Sequence, residues 1–246
     1  MDQSVVRRID EATQAASGRP NLYAAVHKGL RAFMGDTLVA IGRADPNDAQ
    51  ELASALQQVR DLLEIALSHL EHEDRFMHTA MEACRPGSSE RTAEDHQGHL
   101  EAIAALRAGL ARVERSEAQA RGAALDALYR RLARFVAENF EHMEIEESHN
   151  MAVLWEALDD TQLASIHDAI IQAIPPLTMA RFQRWILPSV PHPERVGMLA
   201  QMRASAPAPA FEAAIAIARE RLSQRDFAKL ARELGVATTP QLVEQW

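Results

Sequence analysis

The chain reads HLEHED at residues 69–74, inside a segment whose apolar residues recur at helical spacing. A similar stretch, HMEIEE, follows at residues 142–147. In a gapless alignment of the two, the histidine, the apolar residue after it and three acidic residues recur at the same offsets. One such run is usually a solvated helix face, but its recurrence calls for a shared explanation.

Length and composition favour a helical globular protein. The chain has 246 residues, of which 47% are hydrophobic, 25% charged and 5% aromatic. This length allows one large domain or two modest ones. Alanine, leucine, arginine and glutamate dominate, and these residues favour helix over strand. The formal net charge of −9 argues against a nucleic-acid partner, because no basic field is available to collect phosphates.

Targeting signals are missing from the sequence. The first residues, MDQSVVRRIDEATQ, lack the apolar core of a signal peptide. No run approaches the ~18 uninterrupted apolar residues that a membrane span needs. Cys84 is the only cysteine, so the chain cannot form an internal disulfide. We therefore expect a cytoplasmic protein with no membrane partner.

Four long helical patterns are separated by short breaks. They cover about residues 21–44, 47–84, 88–115 and 122–159, with Asn47 or Asp48 as the expected cap of the second and Ser88 or Ser89 of the third. Residues 1–19 are interpreted as a flexible lead-in. The expected fold is all-α, with an up-down antiparallel four-helix bundle at residues 20–158.

Residues 159–246 are expected to form a C-terminal extension of short helices. Prolines separate the pieces, and Gly235 is a plausible helix C-cap. Helices of this length are not stable alone in water. We therefore expect the extension to pack on the bundle and to restrict access to it.

Histidines and glutamates lie on the apolar faces of these helices. His69 is in phase with apolar neighbours, and Glu73 lies one turn later on the same face. His142 and Glu146 repeat this spacing in the fourth helix. A carboxylate that points inward without a partner is costly, so this pattern requires a compensating cation.

The other two helices add more nitrogen donors. Counting from the helix ends places all these histidines at comparable height in an antiparallel bundle. Imidazole and carboxylate donors together suit iron, manganese or zinc, and bridging carboxylates with no cysteine favour two iron ions. The candidate metal ligands are His27, His69, Glu73, His96, His99, His142 and Glu146.

This set of spacings resembles the hemerythrin-like, or HHE cation-binding, family over about residues 20–158. The resemblance rests on His27, a histidine on the third helix, H-x-x-x-E at residues 69–73 and H-x-x-x-E-E at residues 142–147. It implies a four-helix bundle that holds two iron ions. The glutamates of the two motifs and an oxo or hydroxo group would bridge the pair, with manganese or zinc as substitutes.

Two departures from the family pattern bear on activity. The oxygen-carrying members have H-x-x-x-H on the third helix, whereas this chain has His96-x-x-His99 and places Leu100 where the partner of His96 would be. Those members also place the last carboxylate five residues after the fourth-helix histidine, which makes Glu147 a competitor of Glu146. Glu146 is preferred because it repeats the spacing of His69 to Glu73. If only one third-helix histidine binds, the irons gain an open position, which favours reactivity over reversible carriage.

The remaining histidines do not complete a different kind of metal site. A ferritin-like di-iron site needs two Glu-x-x-His pairs, and only His149 has a glutamate three residues before it. His149 shares the face of His142 and stays open as a second partner or a substitute ligand. The histidines interpreted as surface or packing residues are His72, His78, His167 and His192.

The sequence leaves three classes of function open. The protein could bind O2 or iron as a sensor or store without turnover. It could instead be a di-iron oxidase, oxygenase or peroxidase-like enzyme that uses O2 or peroxide on a small molecule. A purely structural metal is the weakest reading, because a leucine-rich bundle of this size does not need one. The irregular third helix and the extension slightly favour the enzyme, and no feature identifies a substrate.

Overall fold

The computed structural model of the protein describes residues 18–238. Within that range every regular element is a helix and no residue lies in a strand. Residues 1–17 of the expected lead-in, and residues 239–246, lie outside the described part. No helix in the described range is both long enough and apolar enough to cross a membrane. The all-α fold class is thus confirmed for these residues.

The described residues divide into two compact units. Residues 18–27 and 31–174 form the first, and residues 28–30 and 175–238 form the second. The sequence placed the start of the C-terminal extension at residue 159, one helix before this division. The packing of the extension on the bundle stays a prediction.

The first unit contains seven helices in its described part, some long and some short. They are α1 (Ala24–Arg43), α2 (Ala49–His72), α3 (Thr79–Cys84), α4 (Glu90–Arg115), α5 (Ala118–Ile145), α6 (Met151–Ala157) and α7 (Asp160–Ala173). A π-helical turn at Glu73–His78 joins α2 to α3, and another at Glu146–Asn150 joins α5 to α6. The chain therefore passes through four long helical stretches, α1, α2–α3, α4 and α5–α6, before it reaches α7.

Side-chain hydrogen bonds explain where several helices begin. Asp48 accepts hydrogen bonds from backbone N–H groups in the first turn of α2, as predicted. Asn21 does the same at the start of α1, and Asp159 forms a capping box at the start of α7. Ser89 precedes α4 without capping it, because its hydroxyl donates to Glu82 instead. Ser89 thus occupies the predicted N-cap position, but its side chain makes no capping hydrogen bond.

Apolar residues at helical spacing form the core of the first unit. Val59 on α2 and Leu132 on α5 are fully buried. Another part of this core brings α7 into contact with its neighbours. It consists of Tyr23, Met77, Met81, Met151, Val153, Leu154, Trp155 and Leu163. The methionines therefore serve as core residues, as expected for their flexible side chains.

The second unit has an apolar core of its own. Its helices are α8 (Pro176–Ser189), α9 (His192–Ser205), α10 (Ala208–Arg221) and α11 (Gln224–Leu234). All four contribute buried residues, among them Leu187, Leu199, Ile215 and Phe227. This shared core explains how helices of eleven to fourteen residues hold together. The helix C-cap predicted at Gly235 is confirmed, with a φ of +64°.

Arg195 is a buried charged residue of the second unit, and its removal should destabilise that unit. Its guanidinium donates to the carbonyl oxygens of Leu187 at 2.5 Å and Val190 at 2.8 Å. We expect Arg195→Leu to cost about 1–3 kcal/mol in a urea titration, because two buried carbonyls lose their donors. The control Arg225→Leu alters an exposed residue of α11 and should cost less than about 0.5 kcal/mol. Equal effects of the two changes would contradict this account.

Candidate metal centre

Four imidazole rings and two carboxylates converge inside the first unit. They are His27 on α1, His69 on α2, Glu73 and Glu146 at the first positions of the two π turns, His96 on α4 and His142 on α5. All six are buried except His69, which is partly exposed. The structure thus brings together six of the seven ligands predicted from the sequence.

The six side chains form two overlapping donor groups. His27 and His69 join both glutamates in the first group, and His96 and His142 join the same glutamates in the second. Within each group all ligand atoms lie within 4.8 Å of one another. The Nε2 atoms of His27 and His69 are 3.2 Å apart, and those of His96 and His142 are 3.1 Å apart. Each group therefore has two nitrogen donors, and the two groups share their carboxylates.

The glutamates extend from one donor group to the other. Glu73 Oε1 lies 3.0 Å from His69 Nε2 and 3.6 Å from His27 Nε2, while its Oε2 lies 3.7 Å from His96 Nε2. Glu146 Oε2 lies 3.4 Å from His27 Nε2 in the first group, and its Oε1 lies 3.8 Å from His96 Nε2 in the second. Carboxylates in this position can bridge two cations.

The chemistry of the cluster fits metal ions. All four oxygens of Glu73 and Glu146 are buried, and none makes a hydrogen bond of acceptable geometry with a described residue. Burying a carboxylate without donors is costly unless a cation compensates its charge. Imidazole nitrogens beside these oxygens complete the mixed nitrogen and oxygen set that transition metals bind.

A π turn opens at each glutamate. The backbone N–H of Glu73 contacts the carbonyls of His69 and Leu70, and that of Glu146 contacts the carbonyls of the corresponding two residues of α5. π turns are rare and occur often at functional sites. The sequence repeat is therefore also a repeat in backbone geometry, which makes the two ligand motifs structurally equivalent.

Glu146 and Glu147 occupy different positions around His27. Glu146 belongs to both donor groups, whereas Glu147 Oε1 lies on the opposite side of the ring, 2.9 Å from His27 Nδ1. Arg31 Nη1 donates to the same oxygen at 2.5 Å. Glu147 can therefore orient the imidazole and leave its Nε2 available to a cation.

Two aspartates make similar contacts with the second donor group. Asp74 Oδ1 lies 2.7 Å from His96 Nδ1, and Asp95 Oδ2 lies 3.3 Å from His142 Nδ1. Contacts of this kind fix the ring orientation and raise the basicity of a metal-binding histidine. Three of the four rings thus carry a carboxylate on the nitrogen that faces away from the centre.

His99 lies beside the centre but outside both donor groups. Its ring stands edge-on to that of His142, with centroids 4.8 Å apart, and its Nδ1 has no hydrogen-bond partner among the described residues. Burial, together with His142 and His96, lowers the pKa of His99 to about 4, so the ring is neutral at physiological pH. Its role as a ligand stays a prediction. His149 is exposed, which places it away from this cluster.

A buried polar network adjoins the centre, and the sequence pattern did not indicate it. His78, interpreted as a surface or packing residue, is buried, with Nδ1 2.9 Å from Asp74 Oδ1 and Nε2 3.1 Å from Thr92 Oγ1. Asn150 Nδ2 donates to Thr92 Oγ1 and to the Tyr23 hydroxyl oxygen, both at 3.3 Å. The available signal was the four-residue spacing from Asp74 to His78, which equals the spacing within each ligand motif.

When no metal is bound, protons on imidazole rings can balance the carboxylate charge. Burial alone would lower the pKa of His27, but contacts with Glu147 and Glu73 outweigh burial and raise the pKa to about 9. Burial would also lower the pKa of His96, but the nearby carboxylates of Glu146 and Glu73 outweigh burial and raise it to about 9. A cation and these protons therefore compete for the same nitrogens.

Metal binding should therefore release protons and strengthen as the pH rises. Below pH 9, His27 and His96 are protonated, and a cation must displace those protons before it binds. We expect the apparent affinity for Zn2+ to increase up to about pH 9 and to fall in acid. Calorimetry in buffers of different ionisation enthalpy measures the released protons. An affinity that stays constant between about pH 6 and 9 would contradict this prediction.

Substitutions on α4 should separate the roles of its two buried histidines. His96→Ala should lower the metal content per chain, because the second donor group loses one of its two nitrogens. His99→Ala should keep the metal content of the wild type at equilibrium. Elemental analysis after loading with Fe2+ and removal of excess metal provides the measurement. The opposite result would make His99 the ligand from this helix.

Comparison with known proteins agrees with the donor set. The family model described as the Hemerythrin HHE cation binding domain matches residues 21–154, more than half of the chain. All six side chains of the two donor groups lie in this span. No curated protein and no solved structure matches the chain. The chain belongs to the hemerythrin HHE cation-binding family.

Proposed function

We propose that this is a non-haem di-iron protein that binds or activates O2 or peroxide, with oxidative turnover slightly favoured. The observation that carries the proposal is the pair of two-histidine groups that share Glu73 and Glu146. The second candidate is a sensor or storage protein for O2 or iron that works without turnover.

The proposed scaffold is an up-down antiparallel four-helix bundle made of the four long helical stretches. Their connections are short, at residues 44–48, 85–89 and 116–117. Helices joined by such short connections pack as antiparallel neighbours. Each stretch also contributes one histidine to the same cluster. An antiparallel bundle accounts for this, because it brings the four histidines to comparable heights.

We propose two metal ions, one for each donor group. The two ions would share the carboxylates of Glu73 and Glu146. Each group has only two imidazole nitrogens, and Glu73 presents a separate oxygen to each group. The single cysteine, Cys84, is exposed and belongs to neither group. A nitrogen and oxygen set without sulfur suits iron, and manganese or zinc can occupy the same donors.

The donor number favours reactivity. Each ion would have two imidazole nitrogens and two carboxylates, and iron sites with few protein ligands keep positions open for O2. When bound, the iron pair would supply the electrons that O2 or peroxide accepts. Five of the six ligands are buried, and Glu147, Asp74 and Asp95 hold three of the rings in place.

The choice between enzyme and sensor depends on what happens after O2 arrives. Each donor group offers only four protein ligands, which leaves positions open for O2 and so favours reaction. A second unit with its own core would suit the sensor reading, because such a unit could act as an output module. A small-molecule substrate and a cytoplasmic location stay predictions.

Anaerobic loading followed by mixing with O2 tests the proposal. We expect about two Fe2+ per chain, rapid oxidation on mixing, and continued O2 or peroxide consumption in the presence of a reductant. Glu73→Gln should lose most of the iron, because both donor groups lose a ligand. The matched control Glu71→Gln makes the same charge change at an exposed position two residues away and should behave as wild type.

The outcomes separate the candidate functions. A stable product that reverses when O2 is removed would favour a sensor or carrier over an enzyme. Two tightly held irons that respond to neither O2 nor peroxide would indicate storage. One iron per wild-type chain would overturn the di-iron centre itself.

A further inference from the structure

A cavity of about 380 Å3 lies between α4 and α5, next to the second donor group. Residues of both helices line it, including His99 from α4 and His142 from α5. His142 is also a member of the second donor group, and its Nε2 lies 3.3 Å from Glu146 Oε2. The cavity is therefore separated from the metal centre by a single imidazole ring.

Negative charge dominates the lining of the cavity. Glu94 and Asp95 from α4 and Glu138 and Glu141 from α5 face one guanidinium, that of Arg91. Arg134 pairs with Glu138, so the other three carboxylates against one guanidinium leave an excess of two negative charges. A cleft lined by one sign of charge raises the local concentration of the opposite ion. The cavity therefore favours cations.

A nitrogen donor lies deeper than these carboxylates. His99 is only 4% exposed, and its Nδ1 has no hydrogen-bond partner among the described residues. A buried polar atom is normally paired, so an unpaired one needs an explanation, and an ion that binds there would supply one. Imidazole nitrogen is a common ligand of divalent transition metals. Asp95 completes the path inward, since its Oδ2 lies 3.3 Å from His142 Nδ1.

We propose that this cavity is the entrance through which a divalent cation, Fe2+ in the working protein, reaches the centre. The carboxylates at the mouth collect the hydrated cation, and Asp95 and His99 replace part of its water as it passes inward. His99 is then a transient ligand on the way to His142, and no electron transfer is involved. This inference rests on the proposed function, because it requires a centre that takes up metal.

The rate of metal uptake by the full-length, metal-free protein tests the entrance. Fe2+ is mixed anaerobically at low ionic strength, and bound iron is followed against a colorimetric chelator. The double variant Glu94→Gln/Glu141→Gln should load about fivefold more slowly and reach the same final content, with a weaker salt dependence. Glu138 is left unchanged because Arg134 already pairs with it at 2.6 Å.

A matched control makes the same charge change elsewhere on the same two helices. Glu101 on α4 and Asp126 on α5 are exposed and do not line this cavity. Glu101→Gln/Asp126→Asn should therefore load at the wild-type rate. Equal slowing of the two double variants would show that only the overall charge matters, and would overturn the entrance.

Two further variants test the path at its inner wall. His99→Leu should slow loading about tenfold while two ions still bind at equilibrium. Gly98→Phe should slow it by filling the cavity, because an added Cβ at Gly98 meets no atom within 4 Å. Replacing a glycine inside a helix also favours folding, so a slow Gly98→Phe protein with an undiminished melting temperature excludes misfolding as the cause.

Binding of Mn2+ to the metal-loaded protein gives a readout that does not depend on loading. Electron paramagnetic resonance of free Mn2+ should reveal one weak additional site per chain, and His99→Leu should weaken it about tenfold. Wild-type loading rates in the His99 and Gly98 variants, or Mn2+ binding unchanged by His99→Leu, would overturn the proposal. Failure of the wild type to hold two ions would instead refute the proposed function.

Discussion

The burial of two carboxylates, Glu73 and Glu146, is the constraint on which the rest of the first unit depends. Their four oxygens have no hydrogen-bond donor of acceptable geometry among the described residues. A core of leucine and methionine side chains cannot stabilise that charge, so cations or protons must supply the compensation. The four imidazoles around the pair serve this purpose in either state, as metal ligands or as proton acceptors. The four helices that carry His27, His69, His96 and His142 are therefore tied to the same two glutamates.

The outer contacts of the histidines explain how this arrangement stays ordered. Glu147, Asp74 and Asp95 each hold the nitrogen of a ring that faces away from the centre. These carboxylates stand nearer to solvent than the central pair, so negative charge surrounds the imidazoles on two sides. That position raises the pKa of His27 and His96 in spite of burial. The same charges that hold the protons would stabilise a cation once the protons leave.

The two donor groups are alike in composition but not in surroundings. In the first group, His27 is covered by the ion pair of Glu147 and Arg31, and His69 is partly exposed. His142, in the second group, lines a cavity of negative charge with the unpaired His99 beside it. Two donor groups with the same ligand types therefore have different surroundings. This difference comes from residues that lie outside both donor groups.

The sequence by itself determined the helical fold and most of the donor set. A spacing of four places His69 beside Glu73, and His142 beside Glu146, on any α-helix, so the local pattern suffices. Only the tertiary structure shows that Glu146 and His96, rather than Glu147 and His99, lie in the donor groups, and that His78 is buried against Asp74. On a helix, the side chains of adjacent residues, or of residues three apart, can lie on overlapping faces. The local pattern therefore does not tell which of the two faces the centre. Which of them reaches the centre depends on the rotation of the helix, on a π turn, and on partners more than twenty residues away. Those long-range contacts do not exist in the local pattern, because they form only when the helices pack together.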